Sequence, residues 1–392
     1  MIVVKPLYGI AEAGAYWWST YFKHHTEKLH MQTSTYDPCL LISKQSAAGF
    51  GIVGMQTDDT LGLSDQDFAD NETQELRFKA KDKQFLAPDS PIDFNGCVVT
   101  IKHGTITLRQ KRQGEKLEPA KDKKTYIQQR ARGAYIATIC QPEASFDLAA
   151  AAQATNPSKE EVSRLNKRLV WQKDNVNRGL TYVQLDMNKL KLFTLVDASF
   201  ANNKDMSSQI GYVIILGNEI MSTDGSFKIR GNIVHWSSIK CKRITRSVLA
   251  SEIYAMAHGV DIAIAIRGTI DMIMERLSLP KVPIVVCTDS RSLYDCLVKL
   301  GTTKEKRLMI DIMALREAYE RSELMDIRWI DGRDNPADAM TKSGPNNALE
   351  ALINTNELEL RVQGWVHRDQ TTPTAITAAS DDRTSDGETL NA

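Results

Sequence analysis

A continuous apolar stretch over residues 282–288, Val-Pro-Ile-Val-Val-Cys-Thr, ends abruptly on an acid, Asp289. Such a run reads as a central strand covered on both faces, and a carboxylate at its end is costly unless it binds something. The neighbouring segments say what sheet this strand belongs to. Upstream, residues 191–200 alternate and are rich in β-formers, and 209–216 and 231–238 are two further short apolar runs, with a turn signal at Asp224-Gly225. These three predict an antiparallel meander. The period then changes, with Leu249, Ile253, Met256, Ala257, Val260 and Ile264 sharing one helical stripe within 247–267. Beyond the central strand, 290–300 predicts a short helix closed by Gly301, 303–322 a longer helix and 326–330 a fifth strand, with a last helix starting from Asp334. The order β-β-β-α-β-α-α-β-α predicts an α/β (α+β) domain at 191–345, a mixed five-stranded sheet flanked by helices.

Four carboxylates fall at telling places in that order. Asp197 ends the first strand, Glu252 lies in the first turns of the long helix beside its apolar stripe, Asp289 ends the fourth strand and Asp338 follows the last. Each alone has an ordinary explanation as a turn cap, a helix N-terminal charge or a surface group. Four converging from separate elements make a site for two hard divalent cations, Mg²⁺ or Mn²⁺, which can activate a water on one side of a phosphodiester and stabilise the leaving oxygen on the other.

The motifs around these acids are specific. Val-Asp-Ala-Ser-Phe (196–200), His-Trp-Ser-Ser-Ile-Lys (235–240), Ala-Ser-Glu-Ile-Tyr-Ala (250–255), Cys-Thr-Asp-Ser (287–290) and Ala-Asp-Ala-Met-Thr-Lys (337–342) together resemble the ribonuclease H domain of copia-type LTR retrotransposons over residues 192–342. The resemblance implies metal ligation by Asp197, Glu252, Asp289 and Asp338, and cleavage of RNA in RNA–DNA hybrids. Cellular ribonucleases H often carry a histidine shortly before the last Asp, whereas this chain reads Ile330-Asp331-Gly332-Arg333. That departure resembles copia-type elements and implies differently assisted product release.

Residues 1–190 resemble part of a copia-type reverse transcriptase, on Lys5-Pro6-Leu7-Tyr8-Gly9-Ile10, Tyr16-Trp17-Trp18 and Tyr36-Asp37-Pro38-Cys39-Leu40-Leu41. The catalytic hairpin of that family falls at Gly54-Met55-Gln56-Thr57-Asp58-Asp59, with Gln56 where the family usually has tyrosine. A third carboxylate and the nucleotide-gripping fingers would lie before Met1, so the expectation is a truncated polymerase palm, thumb and connection remnant, with Asp58 and Asp59 a weak trace of its metal site and no polymerase activity from this chain alone. Asp-Asp by itself is commonly just a turn. His24, His25 and His30 read as surface histidines on a polar helix.

Charge balances overall, 49 basic residues against 49 acidic, so partners are read from its distribution. Residues 102–132 hold ten Lys/Arg, among them Lys111 and Arg112, against three acids, and Lys240, Lys242 and Arg243 form a second cluster. Both suit phosphate contacts, RNA–DNA hybrid above all, although a solvated face is the plainer reading of either. A full-length retroelement polymerase is an expected partner, and a non-catalytic retrotransposon relic or nucleic-acid-binding fragment is the alternative to an enzyme. No apolar run approaches the ~20 residues of a membrane helix, the first residues show no secretory signal, and six scattered cysteines without a CxxC pair suggest reduced thiols. An intracellular protein without a membrane partner is expected, in cytoplasmic retroelement particles or in the nucleus. Residues 346–392 read as a C-terminal extension, its Thr/Ala/Asp/Ser-rich part a disordered tail.

Overall fold

The computed structural model describes residues 13–57, 59–77, 81–222, 226–299, 303 and 305–364. The Lys5–Ile10 motif, Asp58, the turn at 224–225, Gly301 and the tail from Trp365 lie outside the described residues.

The N-terminal unit comprises α1 (Ala13–Glu27), β1 (Met31–Thr33), β2 (Leu40–Ser43), β3 (Gly51–Gln56), β4 (Asp59–Ser64) and α2 (Gln66–Glu75). Its strands pair in chain order as an antiparallel sheet. Trp18, Tyr21 and Phe22 of α1 pack on a core of Leu41, Val53, Met55 and Phe68. Three to four residues further along the same helical stripe stands His25, only 1% exposed, and His24 beside it is also buried. The surface placement expected for these two is therefore corrected: α1 turns this face inward, and only His30 is exposed.

A second unit carries β5 (Ile92–Phe94), β6 (Cys97–Lys102), β7 (Thr105–Gln110), α3 (Lys123–Ile139), α4 (Ser145–Ala151), α5 (Lys159–Asp174) and β8 (Leu180–Tyr182). The four strands form an antiparallel sheet in chain order, and the helices share a core around Tyr126, Leu148, Leu165 and Leu169.

The third unit is built on β9 (Leu190–Ser199), β10 (Gln209–Met221), β11 (Phe227–Lys240), α6 (Val248–Arg276), β12 (Ile284–Thr288), α7 (Arg291–Val298), α8 (Met309–Glu320) and β13 (Leu324–Ile330). This is the strand and helix order read from the sequence. The chain then makes two short 3₁₀ turns, at Gly332–Asp334 and Pro336–Met340, before α9 (Asn347–Thr355), β14 (Glu357–Leu360) and β15 (Val362–Gly364). The meander β9–β10–β11 is antiparallel, and β12 and β13 join it in parallel beside β9. The expected five-stranded sheet is in fact seven-stranded, in the order β14-β11-β10-β9-β12-β13-β15. The two added strands come from beyond residue 345 and cover the open edges of β11 and β13.

Alternation along β9 sends Leu192, Val196 and Ala198 into a core under α6, and Phe193 and Leu195 into a second core on the opposite face, with α9. Against the expectation that no apolar run has the length of a membrane helix, α6 is long and apolar enough to cross a bilayer, yet 61% of its most apolar window is buried inside the protein. Part of its outer side receives the N-terminal unit through hydrogen bonds. Thr35 donates to the Ala265 carbonyl at 2.7 Å, and Arg276 donates to Gln45 at 2.7 Å and to the Gly49 carbonyl at 2.7 Å.

Candidate metal centre

Strand register brings the first two acids together. Thr288 of β12 is paired with Val196 of β9 in a parallel ladder, so the next residues, Asp289 and Asp197, stand side by side at the same end of the sheet. Helix α6 supplies the third. Ser247 caps its start by accepting from the Ala250 amide, which places Glu252 in its second turn. Close approach of α6 to β9 requires Gly259, where a Cβ would come within 2.9 Å of the Val196 side chain. Asp197 is 2% exposed and Glu252 5%, and one ligand oxygen from each of Asp197, Glu252 and Asp289 lies within 4.8 Å of the others.

Asp338 stands outside this close group, on the Pro336–Met340 turn. That turn is clipped to the sheet at several points. Asn335 donates to the Val196 carbonyl at 3.0 Å, Ser238 donates to the Met340 carbonyl at 2.5 Å, and the Thr341 hydroxyl donates to Asp197 Oδ2. It also needs Gly211, opposite Asp197 on β10, because a Cβ there would collide with Met340. Lys342 closes the arrangement, its Nζ 3.0 Å from Asp338 Oδ1 and 3.7 Å from Asp197 Oδ2.

The electrostatics are those of a site short of positive charge. Burial, reinforced by Asp197 and Asp289, holds the Glu252 carboxyl well above the usual carboxylate range. Burial and then Asp197 push Asp289 up to about 6, against the opposing pull of Lys342 and Asn335. Burial and Asp197 likewise push Asp338 up to about 7. Burial works against the Lys342 ammonium, but Asp197 and Asp338 outweigh it and raise that group too. Among the described residues, the buried Glu252 Oε2 has no hydrogen-bond partner. Three carboxylates grouped this closely, one of them with a buried oxygen that lacks a donor, suit a cation, so the residues present fit a hard divalent ion.

The remaining nominated residues lie elsewhere. Lys111, Arg112, Lys240, Lys242 and Arg243 are all exposed. Three are already ion-paired: Lys111 with Asp93 at 2.7 Å, Lys240 with Asp205, and Arg243 with Asp311 at 2.9 Å while stacked 4.8 Å over the Tyr254 ring. Asp59 is exposed at the start of β4 and joins no group of three metal-ligating side chains among the described residues. Sequence reasoning missed Asn335, Thr341, Lys342 and Gly211. For Lys342 a signal existed, since Asp and Lys four residues apart on a helical turn face each other.

No family model matches the chain. Its relatives are Gag-Pol polyproteins of the copia-type transposon Ty1. It is 25% identical to that of Transposon Ty1-NL2 from Saccharomyces cerevisiae over 205 residues, 52% of this chain. The chain spans only 10% of the length of that relative. Among solved structures it is similar to LC11-RNase H1 in complex with RNA/DNA hybrid, at 18% identity and a TM-score of 0.27, over 41% of this chain and 99% of the other. It is also similar to the foamy viral protease-reverse transcriptase in complex with RNA/DNA hybrid, at 13% identity and a TM-score of 0.32, over 58% of this chain and 28% of the other.

Proposed function

We propose that this relative of the copia-type Gag-Pol polyproteins is a metal-dependent endonuclease of the ribonuclease H type, hydrolysing the RNA strand of RNA–DNA hybrids. The observation that carries the reading is the gathering of Asp197, Glu252 and Asp289 from three separate elements, with a buried Glu252 oxygen that no donor among the described residues satisfies. Asp197, Glu252 and Asp289 would hold Mg²⁺ or Mn²⁺, with Asp338 completing the set from its turn. Ions bound there supply Lewis acidity, lowering the pKa of a water nucleophile and neutralising charge on the leaving oxygen.

The protein's own part is positioning. Thr341 and Asn335 fix the carboxylate of Asp197 and the backbone before it, and β12 and α6 present the other two acids rigidly. Hybrid would be chosen by shape and 2′-hydroxyl contacts rather than base identity, with Lys111, Arg112, Lys240, Lys242 and Arg243 along the phosphates. Residues 1–190 would be a partial reverse transcriptase that guides the hybrid, acting beside a full-length retroelement polymerase inside the cell, in cytoplasmic particles or in the nucleus.

The test incubates the purified chain with a labelled RNA–DNA hybrid and Mg²⁺ or Mn²⁺, beside Asp197→Asn. Metal-dependent cleavage of the RNA strand that disappears in the variant is the expected result. A folded chain that leaves the hybrid intact would reduce this reading to a nucleic-acid-binding relic.

A further inference from the structure

The chain places a cation of its own inside the acidic cluster. Lys342 Nζ reaches Asp338 Oδ1 at 3.0 Å and Asp197 Oδ2 at 3.7 Å. Among the described residues no other basic side chain comes within 4 Å of any of the four carboxylates. Its position is built: the Lys342 amide donates to the Asp338 carbonyl at 3.0 Å, so the backbone itself turns the side chain onto the acid four residues before it. The side chain is 50% exposed, so the ammonium has an open way out to water.

Charge divides the cluster into two unequal halves. The group of Asp197, Glu252 and Asp289 has a buried oxygen without a donor, whereas the Asp197–Asp338 side already holds an ammonium. Metal binding needs the carboxylates ionised. One divalent ion with Lys342 in place then leaves the four carboxylates close to neutralised. A second ion makes the site net positive only while the Lys342 ammonium stays beside it, until a negatively charged phosphodiester enters, and any ion shared by Asp197 and Asp338 must push that ammonium aside.

Resting on the metal-dependent reading above, we propose that Lys342 is a resident cation that restricts the free protein to one divalent ion, at Asp197, Glu252 and Asp289, and yields the Asp338 side to a second ion only when a phosphodiester arrives. Lys342 thus couples metal occupancy to substrate.

The experiment measures Mn²⁺ bound per chain by equilibrium dialysis on the full chain, with electron paramagnetic resonance to detect a spin-coupled pair. Without nucleic acid, the unsubstituted chain should bind one ion, Lys342→Arg one, and Lys342→Gln two with a coupled-pair signal. Adding a cleavage-resistant 2′-O-methyl-RNA–DNA hybrid should raise the unsubstituted chain from one to two. A Lys342→Gln protein that stays at one ion, or an unsubstituted chain that holds two without hybrid, overturns the role of Lys342 while leaving the metal-dependent nuclease intact. If none of the three proteins binds Mn²⁺, the metal reading itself falls, and this inference with it.

Discussion

The side-chain amide of Asn335 donates to the main-chain carbonyl of Val196 at 3.0 Å, fastening the acid-bearing turn to its strand one residue before Asp197. Asn335 is fully buried, and its own oxygen accepts from the Ala337 amide at 3.0 Å. Replacing it with alanine removes both bonds and strands a buried carbonyl. Asn335→Ala should lower stability in urea denaturation by about 2–3 kcal/mol and weaken Mn²⁺ binding. Unchanged values for both would mean that the turn is held by other contacts.

Burial, reinforced by Asp197 and Asp289, disfavours the charged form of Glu252. Glu252→Gln keeps the shape and removes the charge. Thermal melting of the metal-free variant at neutral pH should run higher than that of the unsubstituted chain. Cleavage of hybrid should fall by at least about 100-fold, the upper end of what losing an outer-shell partner costs a metal site. A metal-free variant that melts lower would contradict the strain assigned to this acid.

Asp289, pushed up to about 6, and Asp338, pushed up to about 7, both start from an ordinary value of 3.8. Between those limits the folded chain holds protons that the unfolded chain has released. Metal-free stability must therefore decline as pH rises from about 4 to 7. Asp289 alone, raised from 3.8 to about 6, accounts for a change on the order of 3 kcal/mol. Metal uptake runs the other way, releasing protons below pH 7 and strengthening as pH rises. Urea midpoints at pH 5 and pH 8 should separate for the unsubstituted chain and draw closer in the Asp289→Asn, Asp338→Asn double variant, in which buried Glu252 still holds its proton.

Arg328 is 1% exposed, held by Glu219 at 2.5 Å and Asp326 at 3.0 Å, and lies 4.4 Å over the Phe227 ring. Removing one partner of such a network leaves buried carboxylates less compensated, and Arg328→Ala should cost about 3–5 kcal/mol. Denaturation with and without Mn²⁺ checks it, because the loss should be similar in both conditions. A drop in metal affinity instead would tie this network to the site.

The sequence made legible those features that local pattern controls. Alternation marked β9, the change of period marked α6, and an acid at the end of an apolar run marked Asp289. What stayed hidden depends on partners far along the chain. Within the strand read at 326–330, nothing local marks Arg328 as an ion-pair partner, since Glu219 is 109 residues away. Gly211 carried no sign that Met340 would pass over it. Helix α6 runs to Arg276 rather than 267, with Ile270 and Met274 still packing on the core beneath it and Arg276 reaching Gly49 of the N-terminal unit. Strands β14 and β15 are four and three residues long, too short to show a period.

Only Arg361 separates β14 from β15, yet they pair with opposite edges of the sheet, β11 and β13. The chain can do this only if the sheet curls until its two margins nearly meet. Arg361 spans the seam, its carbonyl accepting from the Asp331 amide and its guanidinium gripping Asp334 at 2.6 Å. In mechanical terms this segment works as a hoop. A pull on the chain beyond Gly364 strips the two-rung hold on β13 first and only then loads the four-rung hold on β11. The strand followed by the Asp338 turn is thus the first to lose its outer support, and the metal centre would slacken before the meander opens.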